Sequence, residues 1–200
     1  MITDIKSAWE ELREKVEICT KCKLCAARNH TVFGEGPLDA RCVIIGEAPG
    51  EEEDNTGRPF VGKAGQLLTD ILQKGAGIPR DSVYIMNVVK CHPKGETTTN
   101  RPPTLEEMIA CSEYLEAQLA LIRPDVIVTM GNTPTKRLLS TSTSITRLRG
   151  RWMTWRGIDL LPMYHPSYLL HRNGEMQPRK ETWDDVRALK AKLDSLKQGG

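Results

Sequence analysis

Apolar and polar positions along this chain follow two periods, and the switches between them outline a fold. Cys42-Val43-Ile44-Ile45-Gly46, Val83-Tyr84-Ile85-Met86-Asn87, Val126-Ile127-Val128-Thr129-Met130-Gly131 and Ile158-Asp159-Leu160-Leu161-Pro162-Met163 are short, mostly apolar runs, the pattern of strands buried on both faces. Between them the spacing turns helical. Ile5, Ala8, Leu12 and Val16 recur at three- and four-residue intervals and predict a helix over residues 3–17. Further helical patterns cover residues 63–74, 104–122, a short stretch starting near Thr133 and a closing stretch over about 182–197. Strands alternating with helices imply right-handed crossovers and a parallel sheet covered on both faces. There is no internal repeat or low-complexity tract. The expectation is a single α/β domain over residues 1–200, with Gly199-Gly200 as a frayed tail.

A chain of 200 residues can bury roughly 70% of its unfolded surface in one domain. At 39% hydrophobic and 27% charged it reads as globular rather than disordered. Met1-Ile2-Thr3-Asp4-Ile5-Lys6 lacks a basic flank followed by an apolar core, so no signal peptide is expected. No apolar run approaches the roughly 18 to 20 residues of a membrane-spanning helix. The expected compartment is the cytoplasm, with no membrane association; there, clustered cysteines favour metal over disulfides. Net charge is only +2, yet six basic residues and no acidic one lie between Val126 and Ile158. Such a stripe, with Arg149 and Arg151 at its centre, can neutralise phosphates or can be a solvated surface loop. Trp152 and Trp155 among the arginines suit a nucleic-acid surface and a core equally.

Cys19 and Cys22 form a Cys-x-x-Cys, and Cys91 and Cys111 lie far downstream. Four soft thiolates from distant segments suit a tetrahedral zinc or an iron–sulfur cluster, and spacing alone does not separate the two. Cys25 is a rival ligand, whereas Cys42 opens a buried strand and reads as a small core residue. The segment Gly46 to Gly65 carries five glycines and two prolines, a loop whose backbone can approach a ligand closely. It lacks both the phosphate-loop and the dinucleotide signatures. Its Glu51 and Glu52 read as a solvated turn. Phe60, in a loop rather than a strand, can stack on a base or pack in the core. Asn87 ends an apolar strand, where a carboxamide is costly to bury without partners and can read a pyrimidine edge. His165 follows the last strand, either as a satisfied structural group or as an electrophile or acid. Gly46-Glu47, Asn87 and His165 all sit at carboxyl ends of predicted strands, where open parallel sheets bind ligands, so one shared pocket is expected.

At these residues the chain resembles the family 4 uracil-DNA glycosylases. Gly46-Glu47-Ala48-Pro49-Gly50, continuing through Glu53-Asp54 and Gly57-Arg58-Pro59-Phe60-Val61-Gly62, is similar to that family's first motif. Asn87-Val88-Val89-Lys90-Cys91 and His165-Pro166-Ser167 match its later motifs. The resemblance implies a three-layer α/β/α fold with a central four-stranded parallel sheet, and hydrolysis of the N-glycosidic bond of a uracil flipped out of DNA. It implies Phe60 stacking on the uracil, Asn87 bonding its polar edge and His165 stabilising charge on its oxygen. Glu47 is implied beside the sugar and the attacking water, and Glu53 near the base pocket, excluding the thymine methyl. Ala48, also in the base pocket, stands where the best-known enzymes of another family carry a water-activating aspartate. The general base is thus open between Glu47 and leaving-group stabilisation without one. Ser167, Leu169 and Leu170 are implied at the DNA, the leucines entering the duplex. Cys19, Cys22, Cys91 and Cys111 are implied as ligands of a structural [4Fe–4S] cluster.

The implied partner is uracil-containing DNA, single- or double-stranded, met by a monomer; no sequence feature supports a sliding clamp. The Cys91–Cys111 connection carries Gly95-Glu96-Thr97-Thr98-Thr99-Asn100, longer than the compact family connection. No Lys-Arg-Arg-Ile-His insertion follows the first motif, so no covalent DNA adduct is expected. Two rival readings are a non-catalytic nucleic-acid-binding iron–sulfur module and a redox carrier. The joint presence of Glu47, Asn87 and His165 speaks against both, since neither needs that set.

Overall fold

The computed structural model describes residues 2–95, 100–172 and 174–198. Its helices are α1 (Ile2–Glu17), α2 (Glu51–Thr56), α3 (Lys63–Ala76), α4 (Leu105–Ile122), α5 (Asn132–Leu139), α6 (Ile145–Leu148), α7 (Pro166–His171) and α8 (Met176–Gln198). The strands are β1 (Cys42–Gly46), β2 (Tyr84–Asn87), β3 (Val126–Met130), β4 (Met153–Trp155) and β5 (Ile158–Met163). They form one sheet in the order β2-β1-β3-β5-β4. β1 runs parallel to β2 and β3, and β3 parallel to β5.

The four expected parallel strands are present, and a fifth corrects the count: β4 pairs antiparallel with β5 at the sheet edge. Its cause is local. Arg156 (φ 48°) and Gly157 (φ 84°) both adopt left-handed backbone, the requirement of a tight two-residue hairpin turn, so the chain doubles back inside the basic stripe. Residues 96–99 of the long Cys91–Cys111 connection lie outside the described residues, as does Gly199-Gly200.

Alternate strand residues face opposite layers. Val43, Ile45, Tyr84, Met86, Ile127 and Leu160 pack with Trp9, Leu12 and Val16 of α1 and Tyr114, Leu115 and Leu119 of α4. Cys42, Ile44, Ile85, Val128 and Leu161 pack with Leu68 and Leu72 of α3 and Val186 and Leu189 of α8. Fully burying one such aliphatic stabilises by about 1.5–3 kcal/mol, against about 0–1 for an exposed ion pair, so the two cores hold the layers together. Local chemistry sets the helix ends. Thr104 caps α4 with its hydroxyl on the Glu107 N–H (3.3 Å), and Glu107 returns a carboxylate to the Thr104 N–H (2.8 Å). Gly77 (φ 60°) closes α3 in left-handed backbone. Among the described residues no helix is long and apolar enough to cross a membrane.

Candidate active site

The carboxyl ends of β1, β2, β3 and β5 open onto one cleft of about 340 Å³. Glu47, Ala48, Phe60, Asn87, Met130, Gly131 and His165 line it, with Asn100 and Arg101 at its side. The three strand-end features singled out from the sequence therefore meet. The cleft lies where the strand order turns, β1 leading outward to β2 and β3 leading the other way to β5, as expected for ligand sites in open parallel sheets.

Asn87 is 1% exposed, and its Oδ1 finds no hydrogen-bond partner among the described residues. An orphaned buried acceptor costs about 1–3 kcal/mol, so it is poised for a donor brought by a ligand. Gly46, its partner across the β1–β2 pair, leaves room for it: a Cβ there would meet Asn87 Oδ1 at 2.3 Å and the Phe60 ring at 2.5 Å.

Phe60 is buried with a left-handed φ of 51°, strained for a side chain of its size. Gly65 makes the turn possible, since a Cβ there would lie 1.9 Å from the Phe60 carbonyl oxygen. The Phe60 ring stands 5.7 Å from that of His165, tilted by 37°, and packs into the α3-side core, as the core reading expects, while also lining the cleft. Glu53 lines the cleft, but its carboxylate braces the loop: Oε1 accepts from the Val61 and Gly62 N–H groups (2.9 Å each) and Oε2 from Gly50 N–H (3.0 Å). Glu51 and Glu52 are exposed in the first turn of α2.

His165 caps α7. Its Nδ1 accepts from the Ser167 N–H (3.2 Å) and lies 2.7 Å from the Ser167 hydroxyl. A backbone N–H can only donate, so Nδ1 carries the lone pair and the neutral ring holds its proton on Nε2. Burial lowers the His165 pKa to about 4, with the Glu53 charge opposing, so the ring is neutral at pH 7. Ser167 thus fixes the tautomer while lining the cleft. Half-buried Glu47 accepts a hydrogen bond at Oε2 from the Thr133 hydroxyl in the first turn of α5. That contact joins the end of β1 to the end of β3. Sequence reading missed Thr133, Met130 and Asn132, although the same strand-end rule, applied to β3, points to them.

Cys19, Cys22, Cys25, Cys91 and Cys111 line a second pocket, with Val16, Leu24, Arg28, Lys90 and Tyr114 among its walls. All six cysteines are free thiols. Arg28 Nη1 donates to Cys91 Sγ (3.5 Å) and the Lys90 N–H to Cys111 Sγ (3.3 Å), contacts that suit anionic sulfur. Burial pushes the Cys91 thiol up to about 11 and moves Cys22 and Cys111 the same way, favouring the protonated form where no cation is bound. Among the described residues no group of three or more Cys, His, Asp or Glu is arranged to hold a metal ion; the cysteines share a pocket without closing on one point. Cys25 stays a rival by position. Cys42 is enclosed in the core, its thiol pushed up to about 12.

The residues expected at DNA divide. Arg151 is exposed beside a groove shared with Arg147 and Thr143, and Leu170 is 41% exposed. Arg149 and Leu169 require correction as open surface contacts. Arg149 Nε donates to Asp185 Oδ2 (2.8 Å), its Nη2 to Asp185 Oδ1 and the Glu181 carbonyl (2.9 Å), and it stacks 5.8 Å from the Tyr164 ring. Its charge is spent on pinning α8. Leu169 is 5% exposed, on the inward side of α7. Trp152 is exposed with Lys192 over its ring, and Trp155 packs partly against the α1–α4 core.

A family model described as the uracil DNA glycosylase superfamily matches residues 33–187. A type-4 uracil-DNA glycosylase of Thermotoga maritima is 47% identical over 192 residues, covering 95% of this chain and 96% of its own. Those of Sulfurisphaera tokodaii and Saccharolobus solfataricus are 42% and 41% identical, covering 90% and 92% of this chain and 84% and 86% of theirs.

Proposed function

The chain belongs to the uracil-DNA glycosylase superfamily, and on that premise we infer that it is a DNA-repair hydrolase that removes uracil from DNA and leaves an abasic site. The observation that carries this reading is a buried carboxamide oxygen, Asn87 Oδ1, with no hydrogen-bond partner among the described residues, in one cleft with a neutral imidazole donor, His165, at the sheet's ligand-binding edge.

A uracil within a duplex is beyond reach, so it is flipped into the cleft at a cost of a few kcal/mol. Phe60 stacks on the ring, and Asn87 reads its polar edge. Breaking the C1′–N1 bond leaves the electron pair on the uracil, and the Nε2–H of His165 stabilises the charge that develops on its oxygen. One preorganised donor of this kind lowers a barrier by about 2.7–4 kcal/mol. Glu47, held by Thr133, sits by the sugar and holds the water whose oxygen bonds C1′, the proton that water loses ending on the departing uracil anion. Glu53 shapes the base pocket through the loop it braces, and Ala48 contributes wall rather than base. Leu170 enters the vacated stack, with Arg151 and Ser167 along the DNA strand.

Cys19, Cys22, Cys91 and Cys111 would hold a [4Fe–4S] cluster; four thiols from three segments on one pocket, two already met by N–H donors, support that choice. Its contribution is structural, because hydrolysis needs no electron transfer. Residues 1–200 act as one domain and as a monomer in the cytoplasm, where disulfides are rare and clustered cysteines are kept for metal.

The test is excision from a labelled single-stranded oligonucleotide with one uracil, in EDTA, followed by alkaline cleavage. Cleavage at uracil and not at a thymine control is expected. An uncut uracil strand, with brown protein that still binds DNA, would leave a non-catalytic iron–sulfur module instead.

A further inference from the structure

Lys90 is 1% exposed, among the largest fully buried side chains of the protein. A lone ammonium in that setting costs several kcal/mol unless an anion meets it, whereas a methionine of similar size would fill the space without that penalty. No carboxylate pairs with it among the described residues; its Nζ donates to the main-chain carbonyl oxygen of Asn87 at 3.0 Å. The same residue lines the cysteine pocket, gives its N–H to Cys111 Sγ, and has Cys91 and Cys111 as its electrostatic neighbours. Beyond Asn87 the segment is stitched to the catalytic loop: Val88 N–H donates to the Gly46 carbonyl (2.9 Å) and Val89 N–H to that of Glu47 (3.3 Å). One residue therefore bridges the two sites, its main-chain N–H on Cys111 Sγ and its ammonium on the strand end that aims the base-reading carboxamide.

We propose that Lys90 is a positioning residue that couples the cysteine pocket to base recognition. Its ammonium compensates the negative charge of four cluster-bound thiolates, and its hydrogen bond fixes the main chain of Asn87. This rests on the glycosylase and cluster reading above. The cluster then matters to uracil selection through a charge it holds in place, beyond its contribution to folding.

Lys90→Met, loaded with its cluster, is the test. Iron content, cluster reduction potential, and binding of oligonucleotides carrying 2′-fluoro-2′-deoxyuridine or thymidine would be measured beside the wild type. The variant is expected to keep its iron, to shift the potential to more negative values because a neighbouring cation is gone, and to lose about tenfold of its preference for the uracil probe. Lys90→Gln keeps a donor without the charge, and should shift the potential while losing less of the preference. An unchanged potential in both variants, or an unchanged preference in Lys90→Met, overturns the coupling, as does loss of iron from both. A wild-type protein without iron or without uracil excision overturns the underlying reading first, and the coupling with it.

Discussion

The segment 87–91 separates two cavities that meet the same chain in opposite ways. On one side the cleft presents polar groups already aimed: Asn87 wedged against Gly46, His165 held in one tautomer by Ser167, Glu47 held by Thr133. On the other, the cysteine pocket gathers five thiols, of which buried Cys91 and Cys111 resist ionisation, around a lysine with no carboxylate partner among the described residues. The cleft is organised before any substrate arrives. The pocket completes its own electrostatics only when something cationic binds the sulfurs. Damage to the first should therefore appear in rates, and loss of a thiol from the second in stability.

Cys91→Ala provides the harshest check of that division. It should strip iron and lower the unfolding free energy by several kcal/mol, with the melting transition affected before chemistry in protein that remains folded. A stable, fully active variant would remove Cys91 from the ligand set.

His165→Ala should cut kcat about 10² to 10³-fold while leaving iron content unchanged, with melting lowered only by the lost α7 cap, about 1 kcal/mol. Because the wild-type ring stays neutral down to about pH 4, kcat/KM should show no histidine step near 6.5. The unfolded chain binds a proton there between pH 6.5 and about 4 that the folded chain does not, so folding stability falls as pH drops through that window. Denaturant titrations across it, with and without His165, measure the difference.

Asp185→Ala strands the partly buried Arg149 guanidinium and should cost about 3 kcal/mol by thermal melting, with the salt dependence of DNA binding unchanged. A flattened salt dependence would return Arg149 to the DNA surface. Thr133→Val should slow excision about tenfold without lowering stability, as expected when a hydrogen bond to a charged carboxylate is lost, and Thr133→Ser should restore it. Arg151→Ala is the mildest: the slope of log affinity against log salt should fall by about one unit.

What was legible in the sequence was whatever depended on near neighbours. Apolar runs of four to six residues marked each parallel strand, and the ends of those strands marked Glu47, Asn87 and His165. The helical pattern over 104–122 marked α4 to within a residue of its observed start at Leu105. Features that depend on a distant partner were silent. Thr133 is an ordinary helix-start residue until Glu47 reaches it across the sheet. Arg149 reads as a surface cation because Asp185 lies 36 residues on, in another helix. Short elements escaped for a different reason: α7 spans six residues and β4 three, too few for periodicity to register.

The hairpin at the sheet edge has a bearing on how the molecule assembles in time. The parallel pairs join Ile44 to Ile85, Ile44 to Val128 and Val128 to Leu161, each across a long stretch of chain, whereas Trp155 meets Ile158 across two residues. Closing the long loops carries an entropy cost that must be met before their contacts form, so such topologies search slowly, while a hairpin closes in about 1–10 μs. The β4–β5 ribbon is thus the part of the sheet that a newly made chain can form first, and β3 can then dock on an edge already laid down.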